Sequence, residues 1–86
     1  MSNTEVAKTR EKIISGALEA RVQEIMHYQI NIDNYTLALQ EINFLPINEK
    51  VELTAFVEQL TSLLASEKLE QKKAKIMLSV MQKQVG

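Results

Sequence analysis

The stretch QINIDNYTLAL, residues 29–39, admits two readings, and the fold depends on which one holds. Ile30 and Ile32, then Leu37 and Leu39, are spaced by two, and Ile, Tyr and Thr are residues that strands favour. Read as a helix, the same letters put apolar residues on more than one side. The flanking sequence decides. From Ile14 onward, positions 14, 18, 21, 25, 28, 32, 35, 39 and 42 alternate steps of four and three. They hold Ile14, Leu18, Arg21, Ile25, Tyr28, Ile32, Tyr35, Leu39 and Ile42, apolar or aromatic at every place but Arg21. That is a coiled-coil-like seam over four heptads. A strand would interrupt a pattern that runs before, through and after it, so the stretch reads as helix.

Few residues allow the chain to turn. Among two glycines and one proline, Gly86 is terminal and Gly16 lies in the helix-forming context IISGALEA. NFLPINEK, residues 43–50, is the one convincing corner: Asn43 can end a helix, Pro46 cannot continue one, and Asn48 can cap the next with Glu49 in its first turn. An all-β chain would need several such breaks. The expectation is an all-α, single-domain antiparallel hairpin over 1–86, with helix 1 at about 4–43, a turn at 44–48 and helix 2 at about 49–84. Ser2 and Glu5 have the spacing of a capping box. Gly16, costing about 1 kcal/mol relative to alanine within a helix, marks a candidate break.

On the second helix Leu53, Phe56, Leu60 and Leu63, with Val57 and Leu64, make a dense apolar face. The face turns polar through SEKLEQKK and apolar again at Ala74, Met77, Leu78 and Met81. If the helices fold back about Pro46, residue i faces a residue near 92 minus i, twice 46. Arg21 would then meet Glu67, Glu70 and Gln71, and an ion pair from Arg21 to Glu67 or Glu70 is expected to fix the register. Solvation of both patches is the alternative.

The apolar content exceeds what one seam uses. Without Met1, the chain holds 29 Ile, Leu, Val, Met and Phe residues, whereas a strict seam takes two positions in seven, roughly 20 here. Val22, Met26, Ile30 and Leu37 form a second stripe, and between Ile25 and Gln40 the one charge is Asp33. An exposed helix face normally carries more charge. Small hairpins also gain stability by associating, so a homo-oligomer is expected, most simply a dimer forming a four-helix bundle.

Composition narrows the chemistry. With 10 basic and 11 acidic residues the net charge is -1, which argues against nucleic acid as the partner and against an acidic DNA mimic. The absence of cysteine excludes disulfides, thiolate metal sites and thiol catalysis. The start MSNTEVAKTREK does not read as a signal peptide and no apolar run approaches a membrane span; a cytoplasmic location is expected. His27 stands alone, no glycine-rich loop could cradle phosphate, and no serine has triad partners nearby. No enzymatic activity, cofactor or metal is expected. Tyr28 and Tyr35 could stack a nucleotide whose phosphates meet Lys72 and Lys73, although seam tyrosines and a solvated lysine face explain the same residues.

The runs LEARVQEIMHYQINIDNYTLALQEI (18–42) and FVEQLTSLLASEKLEQKKAKIMLSVMQKQ (56–84) resemble, in helical texture across most of the chain, small accessory proteins of tailed phages of enteric bacteria. The resemblance implies a noncatalytic protein that binds and inhibits a host factor, and it supplies no motif on which to map functional residues. The surfaces expected to make contact are Met26, Ile30 and Leu37 and the Phe44–Leu45 corner. Two other readings are an oligomeric sponge for a cyclic nucleotide of antiphage defence, holding its ligand between subunits, and a structural coiled-coil module.

Overall fold

The computed structural model describes residues 3–85. Helix α1 (Asn3–Asn43) and helix α3 (Thr54–Val85) pack antiparallel, joined through a short helix α2 (Ile47–Glu52). No strand occurs among the described residues. The hairpin measures 71 × 17 × 14 Å, and its radius of gyration is 20.1 Å; a compact domain of this length has about 12 Å. The rod shape follows from helix length, since the 41 residues of α1 rise about 60 Å.

The expected seam is the one the hairpin uses. All nine α1 positions from Ile14 to Ile42 are shielded to some degree, with Ile32 and Ile42 buried. The answering seam starts at Leu53, the residue before α3, and runs along α3 through Val57, Leu60, Leu64, Glu67, Gln71, Ala74, Leu78 and Met81, again in steps of four and three. Leu60 and Ala74 are its buried apolar members and Gln71 its buried polar one. Phe56, Leu63 and Met77, expected on the same face, lie on its flank and stay exposed.

The corner is longer than a turn. α1 ends at Asn43, and the amides of Phe44 and Leu45 donate back to Glu41 and Ile42 at 3.2 and 3.1 Å. Pro46 then serves as N-cap of α2, its carbonyl accepting from Glu49 and Lys50 at 3.0 Å each. The expected cap, Asn48, is instead inside α2, because the φ of proline suits the cap and its missing N–H costs nothing there. α2 stops at Leu53, whose N–H reaches Lys50 in a tightened last turn, and the Thr54 hydroxyl donates to the Val51 carbonyl at 2.9 Å. The second helix of the sequence reading is therefore two helices with a break at Leu53.

This insertion moves the register. Residues bonded across the hairpin are 25 with 71, 31 with 67 and 29 with 71, so partner numbers add to 96, 98 and 100 rather than 92. The turning point is displaced by about three residues and the pairing by about six. At this register the end of α3, Val85, stands level with position 13 of α1, and residues 4–13 are all exposed beyond it. Val6 and Ile13 are among the large apolar side chains left open there.

α1 runs without interruption through Gly16, so the candidate break does not form. The Ser2–Glu5 capping box involves Ser2, outside the described residues. A Cβ built at Gly16 meets nothing within 4 Å, and the residue lies on the exposed side of the helix. Gly16→Ala is therefore expected to stabilise the protein by about 0.5–1 kcal/mol, through the smaller backbone entropy lost on folding. Thermal unfolding followed by circular dichroism should show a midpoint higher by a few degrees; an unchanged or lowered midpoint would contradict the open environment at this position.

Candidate interaction surfaces and the polar layer

The middle of the seam is polar. Gln71 projects across from α3 and donates through Nε2 to the Ile25 carbonyl at 3.3 Å and to Gln29 Oε1 at 2.9 Å. Gln29 in turn donates to Asp33 Oδ1 at 2.9 Å, and Asn31 Nδ2 donates to Glu67 Oε2 at 3.3 Å. Among the described residues no buried side-chain polar atom lacks a partner, so this layer is a satisfied structural element.

Arg21 does not make the expected pair. Its guanidinium donates to Glu24 on its own helix at 2.8 Å, while Glu70 accepts from Lys73 at 3.0 Å and Glu67 from Asn31. The six-residue change of register is the physical reason. Arg21 falls opposite the region of Met77, since 98 minus 21 is 77, one to two turns beyond Glu70 and Gln71. The pairs formed instead are three residues apart on single helices, worth about 0.3–0.5 kcal/mol each.

Tyr28 and Tyr35 occupy the seam, half shielded by α3. The Tyr28 hydroxyl donates to Glu24 Oε1 at a long 3.4 Å. Loss of hydration, the charge of Glu24 and Glu70, the hydrogen bond to Glu24 and the charge of Glu67 together hold its pKa above the ordinary tyrosine value. Lys72 and Lys73 are exposed on outward positions of α3. One chain thus does not gather the two rings and the two lysines into a single site, and carboxylates occupy the surroundings of Tyr28. His27 is exposed, and no group of His, Asp and Glu among the described residues is arranged to hold a metal ion. Two shallow concavities lie along the start of α1, one of about 380 Å³ lined by Val6, Thr9, Arg10, Ile13 and Ile14, the other of about 200 Å³ reaching Gln84.

The outward face of the second half of α1 is apolar. Ile30, Leu37 and Phe44 recur every seven residues, at the helical position opposite the seam, with Met26 beside them. Met26, Ile30 and Leu37 are 60, 56 and 57% exposed. At the corner, Phe44, Ile47 and Val51 are 85, 81 and 68% exposed, whereas Leu45, expected to be part of the contact surface, is half-buried. Ile47 and Val51 do not pair in the sequence because the turn at 44–48 takes Ile47 and helix 2 from 49 takes Val51; their spacing of four, once INEKVE is helical, is the available signal. No helix among the described residues is long and apolar enough to cross a membrane. No family model, curated protein or solved structure matches this chain.

The charge around Tyr28 has a consequence at alkaline pH. Because its pKa is raised on folding, the folded state holds the phenolic proton more tightly than the unfolded chain does. The stabilisation is complete below about pH 10, where an unfolded tyrosine is protonated, and is lost as pH rises through the higher folded value. Between about pH 9 and pH 11 the wild type should lose more stability, read from urea midpoints, than Tyr28→Phe. Equal losses would show that Tyr28 ionisation is not linked to folding.

Proposed function

We propose that this protein is a noncatalytic helical hairpin that acts by binding another protein, with the apolar corner formed by Phe44, Ile47 and Val51 as its contact surface. The observation that carries this reading is the exposure of these three side chains, 68 to 85%, in the turn after α1 and on the short helix α2. Large apolar groups clustered at the end of a rod contribute little to its own fold, and displayed together they suit insertion into a partner's groove. Burial of such anchors supplies most of the energy of a typical interface. The resemblance to phage accessory proteins fits a host or phage protein as the partner. The cyclic nucleotide reading places its ligand between subunits, with Tyr28 and Tyr35 from one chain and Lys72 and Lys73 from another, and it stays the alternative.

Affinity capture from a bacterial lysate tests this reading when wild type is compared with Ile47→Glu and Val51→Glu. The expected result is a protein retained by wild type and weakened at least tenfold by either change, about 1.4 kcal/mol, with helical content unchanged. Equal capture by the variants would remove the corner from the interface. Micromolar cyclic nucleotides should leave the thermal midpoint in place; a rise of several degrees would favour the sponge instead.

A further inference from the structure

We infer that the outer stripe of α1, Met26, Ile30 and Leu37, is covered by a second copy of the chain, α1 packing antiparallel on α1 about a two-fold axis between Ile30 and Leu37. This deepens the reading of the protein as an interaction module, and concerns a surface other than the corner.

Surface area points to an occupant of this size. The chain exposes 6750 Å², whereas a compact monomer of 9.8 kDa exposes roughly 5,200 Å². The excess, roughly 1,500 Å² per chain, is spread along the rod and is of the size that each subunit of an obligate homodimer buries, about 1,000–2,500 Å². Few apolar side chains are buried to offset it: among the described residues Ile32, Ile42, Leu60 and Ala74 are the buried hydrophobic ones, and no large side chain is wholly enclosed.

Charge selects the face. In a two-fold interface a patch meets itself, so like charges are brought together unless the patch is nearly neutral. From residue 26 to residue 39 α1 carries one charge, Asp33, whose two copies flank the axis and are the one like-charge approach within this stretch. The outward side of α3 also has apolar residues, Leu69 and Ile76, but six of the nine residues from 67 to 75 are charged. The stripe itself sets the geometry. Ile30 and Leu37 are one heptad apart, so an antiparallel copy sets Ile30 against Leu37 of the partner subunit, and Leu37 against Ile30 of the partner subunit. Gln23 and Gly16, the preceding residues at the same helical position, end the apolar run on that side.

Light scattering on the purified chain, which requires no other protein, separates this inference from the proposed function. Wild type is expected as a dimer at tens of micromolar, Ile30→Asp as a helical monomer, and Ile76→Asp as a dimer. A monomeric wild type, or loss of the dimer in Ile76→Asp but not in Ile30→Asp, would overturn the inference. Should Ile30→Asp unfold, the doubly substituted chain Ile30→Cys with Leu37→Cys decides, because the natural sequence has no cysteine. Mild oxidation should give a covalent dimer whose cross-linked peptides join 30 to 37; its absence would place the second copy elsewhere or nowhere.

Discussion

Two helices laid side by side share one seam, and a seam takes two residues of every seven from each. That constraint governs the molecule. The seam of α1 from Ile14 to Ile42 and the one that runs from Leu53 along α3 to Met81 use the helix–helix contact in full, yet only Ile32, Ile42, Leu60, Gln71 and Ala74 are buried and the other seam residues are partly shielded. A third helix laid over the seam would enclose these side chains; within the chain α2 is too short and sits at the end. The energetic consequence is a fold whose apolar burial is modest and whose surplus apolar groups must lie outside. For this reason the described residues display their surplus apolar groups on surfaces, with shallow concavities along the start of α1.

A seam of repeating aliphatic residues does not by itself choose its register, since sliding one helix by a heptad presents a similar face. Two features of the hairpin do choose. The first is the corner, where six residues of α2 and the break at Leu53 set how far α3 starts beyond the end of α1. The second is the polar layer. Gln71 finds the Ile25 carbonyl and Gln29, and Asn31 finds Glu67, at one alignment; a heptad slide would place the Gln71 amide against aliphatic neighbours, where a missing partner costs about 1–3 kcal/mol. The layer therefore contributes to specificity more than to stability.

The legible part of the fold was the part written in long repeats. Eight apolar or aromatic residues in nine seam places marked α1 from Ile14 to Ile42, and Asn43 with Pro46 marked its end. A helix of six residues carries too few turns to show a period, so INEKVE is split between the turn and the following helix, and its apolar pair, Ile47 and Val51, does not stand out. The error at the corner then spread to the register. Arg21 was set against Glu67 and Glu70 by counting from Pro46, whereas counting from the middle of α2 sets it near Met77 and leaves it to Glu24. The polar interruption around Glu67 and Gln71 was visible as composition. Its role was not, because cross-helix hydrogen bonds at 2.9 to 3.3 Å depend on an alignment that local sequence does not encode.

The corner and the outer stripe of α1 meet at Phe44, which belongs to both. In an antiparallel pair centred between Ile30 and Leu37, residue 44 falls opposite residue 23 of the other copy, at the rim of the contact, and Ile47 and Val51 lie past it. Self-association of the proposed kind would leave the corner uncovered. It would also point the two corners in opposite directions, about 40 Å apart at about 1.5 Å per residue from the two-fold axis. A rod with one adhesive tip binds singly; a pair so arranged is bivalent, and its grip on a partner with two suitably spaced sites rises through effective concentration without any new contact. The length of the helices, which costs the chain a closed core, is also what sets that spacing.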